Sequence, residues 1–234
     1  MNESRRSDDA PGDRAAPALR TVEFYFDVVS PYSWLAARQA GCVEAAGARL
    51  DFRQVLFAGL LAAHGGKGPA ETPAKRAYTM RDVLRIAARL GVPAAFPPTH
   101  PFNPLRALRM CIALDDREAR RRFAVGLMDA AWQSGQDLGD DATLRDVARA
   151  CALDGDTLLA RAGHPDVKQR LLDATAAAVA AGIFGVPTWR VDGELFWGED
   201  RIEALVWRLH GHRIDEDLLA NVLARPAAAK RKTR

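Results

Sequence analysis

Apolar residues along this chain occur partly in short runs, which predict strands, and partly at helical spacing, which predicts helices. Residues 22–29 form a nearly continuous apolar run, which is typical of a buried strand, and residues 49–56 predict a second strand. Between them, apolar residues recur at helical spacing over residues 31–47, where Pro31 can begin a helix and Gly47 can end it. This first part therefore predicts a β-α-β unit with a right-handed crossover.

A long helical part follows the second strand. Helical periodicity is clear in residues 75–90, 104–114, 117–133 and 141–152, and the Ala-rich residues 166–181 predict a further helix that ends at Gly182. We therefore expect residues 58–181 to form an all-helical insertion domain.

The strand pattern returns near the C-terminus. Residues 186–191 and 194–197 resemble strands and flank an Asp-Gly pair, which is typical of a tight hairpin turn, and two short helices are predicted after them. The predicted fold class is α/β, with a mixed sheet built from β-α-β and then β-β-α. Its parts are a disordered leader at 1–20, a split domain at 21–57 and 182–225, the helical insertion at 58–181, and a basic tail at 226–234.

Composition and charge exclude several classes of protein. The chain has 234 residues, of which 48% are apolar and 27% charged, enough for one sizeable core. No apolar stretch approaches the ~18 residues of a membrane span, and the N-terminus lacks the apolar segment of a secretory signal, so we expect a cytoplasmic protein. Four basic residues of the tail account for the formal charge of +3, so we expect no nucleic-acid partner.

The cysteines and histidines favour neither disulfide nor metal chemistry. The three cysteines are far apart and outside any metal-binding or redox spacing, so Cys42, Cys111 and Cys151 are predicted to be reduced thiols. The histidines are spread along predicted loops, so we expect His64, His100, His164, His210 and His212 to be surface residues. We predict no metal site.

The turn after the first strand contains the clearest chemical signal. Ser30-Pro31-Tyr32-Ser33 has the spacing of a thioredoxin-type active-site turn, with hydroxyls where a redox enzyme has Cys-x-x-Cys. The sequence therefore predicts a thioredoxin-like fold whose turn cannot cycle a disulfide. A reactive sulfur at this turn would have to come from a ligand.

Ser30 allows two interpretations. Its hydroxyl and the free N–H groups of the first helical turn can converge on a ligand thiolate, because a helix N-terminus stabilises an anion. A serine before a proline is also a common N-cap that needs no further role. The position of Ser30 in the sequence leaves both alternatives open.

Two further segments would lie near this turn in such a fold. If the Val186–Pro187 bond is cis, the backbone groups of Val186 stay unpaired and can pair with a peptide-like ligand as an added strand. If the bond is trans, the proline only begins an edge strand. Asp200, at the start of the next helix, can accept hydrogen bonds from a ligand ammonium or be an ordinary first-turn acid.

These segments resemble the 2-hydroxychromene-2-carboxylate isomerase and kappa-class glutathione transferase family, which belongs to the DsbA-like thioredoxin superfamily. The resemblance extends over about residues 22–209. It rests on FYFDVVSPYSWL (24–35), PAKRAY (73–78), HPFNPL (100–105), GIFGVPT (182–188) and FWGEDR (196–201).

The resemblance implies glutathione as cofactor and assigns a role to several residues. Ser30 would hydrogen-bond the glutathione sulfur, Val186 next to cis-Pro187 would pair with the cysteinyl backbone, Asp200 and the Arg201 backbone would hold the γ-glutamyl end, and Lys75 would reach the glycyl carboxylate. The implied reaction is reversible thiolate addition to an unsaturated aromatic keto acid in aromatic catabolism.

An aromatic substrate would need a second pocket beside the glutathione. The candidates for its walls are Tyr32, Trp34, Phe102, Asn103 and Trp197, although core packing is the alternative for each of them. The chain departs from the family at Gly66, where an asparagine is usual, and a more flexible loop there predicts weaker glutathione binding.

Two alternative functions remain open, and the assembly of the protein is a separate question. The same thiolate could attack an electrophile or a peroxide and be consumed, as in a kappa-like transferase or peroxidase. The chain could also be a non-catalytic thioredoxin-fold module that binds extended peptides at the edge near Val186. The family resemblance further implies a possible homodimer.

Overall fold

The structure, a computed structural model, describes residues 19–226. Residues 1–18 of the predicted leader and 227–234 of the predicted basic tail lie outside the described residues. No described helix is long and apolar enough to cross a membrane.

Four strands form one mixed sheet, which confirms the predicted fold class. They are β1 (Arg20–Phe26), β2 (Ala48–Gln54), β3 (Thr188–Val191) and β4 (Glu194–Trp197), in the order β2-β1-β3-β4. The β1–β2 pair is parallel, while β3 pairs antiparallel with both β1 and β4. The two halves of the sheet are therefore joined at β1 and β3, across the helical part of the chain.

Eleven α-helices surround the sheet in the described part of the chain. They are α1 (Pro31–Arg38), α2 (Ala40–Ala45), α3 (Phe57–His64), α4 (Pro73–Leu90), α5 (Leu105–Ile112), α6 (Arg117–Trp132), α7 (Asp141–Ala150), α8 (Gly155–Ala162), α9 (Pro165–Ala180), α10 (Ile202–Leu209) and α11 (Glu216–Leu223). Short 3₁₀ turns lie at Pro69–Glu71 and Glu199–Arg201. One continuous core includes side chains of the sheet, such as Phe24, and of the inserted helices, such as Phe123. The domain boundaries stay a prediction.

The first strand is shorter than the apolar run that predicts it. β1 ends at Phe26, because the Asp27 carboxylate accepts the N–H of Val29 and the Asp27 carbonyl accepts that of Ser30, which closes a turn. Val28 and Val29, which extend the apolar run, are not part of the strand. Both are buried in the turn that follows it.

The first helix, expected to be continuous over residues 31–47, is broken at Gln39. The Gln39 side-chain amide donates to the Leu35 carbonyl and to the buried carboxylate of Glu199. This second partner lies 160 residues further along the chain, so the break depends on a tertiary contact. The helical spacing of apolar residues in the sequence continues across Gln39, because α1 and α2 both bury their apolar sides. The spacing therefore does not reveal the break.

Trp34 fixes α1 on the inserted helices. Its side chain is fully buried, and its indole Nε1 donates to Asp129 of α6 over 2.9 Å. Arg38, one turn further along α1, reaches the other oxygen of Asp129 at 3.3 Å. Helix α1 is therefore held on α6 by a packed indole and a shared carboxylate.

We expect Trp34→Phe to lower the free energy of unfolding by about 2–4 kcal/mol, because it removes a hydrogen bond to a charged partner and leaves a cavity. Chemical denaturation followed by circular dichroism measures the change. The matched control is Trp207→Phe, since Trp207 is 42% exposed and should change stability by less than about 1 kcal/mol. Equal losses in the two variants would contradict this account of Trp34.

Candidate functional site

A cavity of about 250 Å³ lies where the turn between β1 and α1 meets the start of α3, helix α4 and the segment before α5. Four of the residues proposed from the sequence line it, namely Ser30, Tyr32, Phe102 and Val186. They come from three distant parts of the chain. The structure therefore brings together the Ser30 turn, the HPFNPL segment and the Val186 turn.

Ser30 both caps α1 and lines the cavity. Its Oγ accepts the N–H of Ser33 at 3.2 Å, so the hydroxyl hydrogen stays free to donate to something else. Pro31 has no N–H, and the N–H of Tyr32 has no hydrogen-bond partner among residues 19–226. The first turn of α1 therefore offers a hydroxyl and a backbone donor, and the two sequence interpretations of Ser30 are compatible.

Val186 lines another part of the cavity wall. The Val186–Pro187 bond is cis, and neither the N–H nor the C=O of Val186 has a hydrogen-bond partner within the described chain. The next carbonyl, that of Pro187, accepts the N–H of Gly198 at 3.0 Å. Pro187 itself does not line the cavity. An extended ligand can pair with Val186 in the manner of an added strand.

Tyr32, together with Pro69 and Thr79, lines both the cavity and an adjoining open groove. The Tyr32 hydroxyl donates to Asp82 of α4 over 3.0 Å. Burial, followed by the neighbouring Asp82, raises the pKa of Tyr32, so the phenol stays protonated. Lys75 and Tyr78 line the groove but not the cavity. Lys75 is therefore near the cavity without being part of it.

Trp34 was expected in the aromatic pocket, and this expectation is wrong. Two positions after Tyr32 on α1, its side chain points into the core, where it contacts Asp129. Residues two apart on a helix lie about 200° apart around its axis, so Tyr32 and Trp34 face different surroundings.

Asn103 and Trp197 also lie away from the cavity lining. Asn103 is exposed, and its Oδ1 accepts the N–H of Leu105 at the start of α5. Trp197 is 54% exposed and packs edge-on against Phe184, with ring centroids 4.9 Å apart. Its indole also covers Gly185, where an added Cβ would lie 2.7 Å from Nε1. Trp197 therefore supports the turn that presents Val186.

Asp200 and Arg201 form an exposed ion pair at 2.9 Å in the 3₁₀ turn before α10. Neither side chain lines the cavity. The turn itself is fixed from inside, because the neighbouring Glu199 is buried against Gln39. Burial raises the pKa of the Glu199 carboxyl. The structure leaves Asp200 and Arg201 accessible at the surface.

Asp27 was not recognised from the sequence, although it is the polar residue that interrupts the first apolar run. Its carboxyl group is fully buried and lines the cavity, and its two oxygens accept the N–H groups of Val29 at 3.0 Å and Phe57 at 2.9 Å. Burial raises its pKa to about 7, against the opposing effect of these two hydrogen bonds.

His100 was expected on the surface, and this expectation is wrong. The ring is half-buried, lines the cavity and packs edge-on against Trp132 at 5.2 Å. Its Nε2 lies 3.2 Å from the Val29 carbonyl, which can only accept, so Nε2 bears the hydrogen. Burial lowers the pKa of His100, which favours the neutral ring. The other expected surface histidines are exposed.

The described residues supply no thiol and no metal cluster to this cavity. Cys42, Cys111 and Cys151 are free thiols, and none of them lines it. Burial raises the pKa of Cys111. Within residues 19–226, no three His, Cys, Asp or Glu side chains are grouped closely enough to hold a metal ion. The cavity itself offers hydrogen-bond donors and apolar walls.

Comparison with known proteins shows first that the chain has a DsbA-like thioredoxin fold. The family model described as "DSBA-like thioredoxin domain" matches residues 21–210, which is most of the chain. Among solved structures, a 2-hydroxychromene-2-carboxylate isomerase superimposes with a TM-score of 0.76, at 22% identity, covering 88% of this chain and all of that one. Cytosolic disulfide reductase DsbM from Pseudomonas aeruginosa with GSH gives 0.55 at 15% identity, covering 81% and 97% of the two chains.

Curated relatives then give the family. The 2-hydroxychromene-2-carboxylate isomerase of Sphingobium xenophagum is 32% identical over 197 residues, covering 80% of this chain and 96% of that protein. Human glutathione S-transferase kappa 1 is 29% identical over 204 residues, covering 81% and 90%. The chain therefore belongs to the 2-hydroxychromene-2-carboxylate isomerase and kappa-class glutathione transferase family of DsbA-like proteins.

The raised pKa of Asp27 predicts a pH-dependent stability. The folded protein holds this proton up to pH about 7, whereas the unfolded chain loses it near the ordinary aspartate pKa of 3.8. The folded state therefore binds more protons between these values, and stability falls as the pH rises through them, by up to about 4 kcal/mol. We expect Asp27→Asn to remove this slope in urea denaturation measured from pH 4 to 8.

The control for this measurement is Asp217→Asn, on exposed helix α11, which should keep the wild-type slope. Asp27→Asn should also lower stability at pH 4, because an amide cannot accept both backbone N–H groups. Parallel pH profiles for wild type and Asp27→Asn would contradict the assignment.

Proposed function

We propose that this chain is a glutathione-dependent isomerase of the type named in its Sphingobium relative. The observation that most supports this is that Ser30 and Tyr32, at the N-terminus of α1, both line a largely apolar cavity. The Ser30 hydroxyl hydrogen and the Tyr32 N–H have no acceptor among the described residues. When bound, glutathione supplies a thiolate that adds to an unsaturated carbon and leaves again, so that a double bond changes geometry without net oxidation.

The residues around the cavity fit a peptide-like ligand that contains sulfur. Ser30 and the Tyr32 N–H would hydrogen-bond a sulfur anion, and the positive end of α1 would lower the pKa of a thiol held there. The unpaired backbone of Val186 would hold the peptide in extended form. Lys75, in the adjoining groove, would pair with a terminal carboxylate. Asp200 and Arg201 would hold the γ-glutamyl end.

A kappa-like transferase is the second candidate, favoured by the 29% identity to the human kappa-class enzyme. The two candidates use the same residues to bind glutathione and differ in its fate. An isomerase returns the thiol after each turnover, whereas a transferase leaves it in the product.

Counting thiols during turnover tests the proposal. We expect the protein with glutathione to convert cis-4-phenyl-3-buten-2-one to its trans isomer, followed by ultraviolet absorbance, while the free thiol concentration stays constant. With 1-chloro-2,4-dinitrobenzene, an isomerase should release little chloride above the uncatalysed rate. Loss of one thiol per converted molecule with either compound would instead identify the transferase.

We expect Ser30→Ala to lower kcat by about tenfold to a hundredfold, because a hydrogen bond to a charged group is worth about 1.5–3 kcal/mol. The dissociation constant for glutathione, measured by calorimetry, should change by less than about threefold, since Val186 and Lys75 remain. A pH profile of kcat should also shift to higher pH, because the thiol loses a donor that stabilises its anion.

The matched control is Ser33→Ala, in the same turn. The Ser33 hydroxyl is fully buried, has no hydrogen-bond partner in the described chain and does not line the cavity. Its removal should leave turnover and the pH profile unchanged. Wild-type turnover in Ser30→Ala would leave Ser30 as an N-cap alone.

A further inference from the structure

Helix α11 carries an apolar face that its own chain leaves exposed. Leu218, Leu219, Val222 and Leu223 recur at helical spacing, so their side chains share one side of the helix. All four are exposed, Leu218 by 56% and Leu223 by 73%. The helix buries none of its own side chains against the rest of the described chain. α11 is therefore an amphipathic helix whose apolar face is open to solvent.

A helix of this length needs something to pack against. Asp215 caps α11 by accepting the N–H of Leu218 at 2.8 Å, but a helix of eight residues is marginally stable by itself in water. Most of the stability of a helix in a protein comes from packing its apolar face. We therefore expect the partner of this face to lie outside the described residues.

The ends of this chain that lie outside the described residues are poorly suited to cover the face. Residues 227–234 have the sequence AAAKRKTR, and residues 1–18 contain one large apolar residue, Met1. Such segments offer little hydrocarbon to bury against four large side chains. The face also lies beyond residues 21–210, which the family model matches. It is therefore a feature that this chain adds to the shared domain.

The charges at the two ends of α11 are opposite in sign. Asp215 and Glu216 lie at its N-terminal end, and Arg225 follows its C-terminal end. In an antiparallel pair of α11 helices, the acids of each copy would lie beside Arg225 of the partner subunit, and the opposed helix dipoles would also attract. A parallel pair would bring acids together at one end and arginines at the other. The charges therefore favour an antiparallel pair, which a two-fold axis generates.

We infer that α11 is a self-association surface, through which two copies of this chain pack antiparallel about a two-fold axis. Such an interface uses the same residues twice, so each exposed leucine or valine leaves water in both copies. Four large side chains per copy are far fewer than the about 20–30 residues on each side of a standard interface. The dimer should therefore be weak, with a dissociation constant on the order of 10 μM. The inference does not depend on the proposed function.

Sedimentation equilibrium of the full chain tests whether this face joins two copies. At about 500 μM, well above that constant, we expect the wild type to have nearly twice the mass of Val222→Glu. The substitution would bury a charge without a partner in the dimer, whereas Val222 is 46% exposed in the single chain. Circular dichroism should therefore show an unchanged fold.

The matched control is Asn221→Glu. Asn221 is exposed and lies about 200° around the helix from Leu219, so the same charge is added on the polar side of α11. This variant should keep the wild-type mass.

Arg225→Glu tests the orientation of the two helices. In the antiparallel pair it replaces two attractions with two repulsions, so the dissociation constant should rise about fivefold to fiftyfold at low ionic strength and much less at high salt. In a parallel pair one repulsion would replace another, with little change. Arg117→Glu, at the exposed start of α6, makes the same change of charge elsewhere and should leave the constant unaltered.

Each result decides one part of the inference. Equal masses for the wild type, Val222→Glu and Asn221→Glu would overturn it, whether that mass is one copy or an assembly held by another surface. An unaltered dissociation constant in Arg225→Glu would overturn the antiparallel arrangement. A mass that is halved by Val222→Glu and kept by Asn221→Glu, together with weaker association of Arg225→Glu, supports both parts.

Discussion

The buried carboxyl group of Asp27 joins the two turns on which the cavity depends. One oxygen accepts a backbone N–H in the turn that leads from β1 to Ser30, and the other accepts the N–H of Phe57, at the start of α3. Because β1 and β2 are parallel neighbours, both turns leave the sheet at the same edge. A single side chain thus fixes the position of α1 relative to α3, and the space between them forms part of the cavity.

The inserted helices hold the same turn from its other side. The carbonyl of Val28 accepts the indole N–H of Trp132 at 2.8 Å, and that of Val29 lies 3.2 Å from the His100 ring. Trp132 and His100 also pack against each other. The backbone around Ser30 is therefore held both by Asp27 and by residues from the helical part. The helical part accordingly shapes the site as well as covering the sheet.

Local patterns were enough to predict the strands, most helices and the Ser30 turn. An apolar run favours a strand, an Asp-Gly pair favours a hairpin turn, and a serine before proline favours a helix start. Each of these preferences depends on only a few neighbouring residues. The break at Gln39 and the place of His100 depend on partners 160 and 71 residues away, which no local spacing records. Tyr32 and Trp34 could not be separated for the same reason, since both are aromatic residues of one short helix and only its packing decides which faces the cavity.

The two hydroxyls of the Ser30 turn have unequal surroundings, and this limits the chemistry available to it. In a Cys-x-x-Cys turn both sulfurs must take part in exchange. Here Ser30 lies at the cavity with its hydrogen free, while Ser33 is fully buried without a polar partner. Only the Ser30 hydroxyl is therefore placed where a ligand can touch it. Because neither position of the turn has a thiol, the turn itself cannot form or exchange a disulfide, although the fold is shared with disulfide reductases.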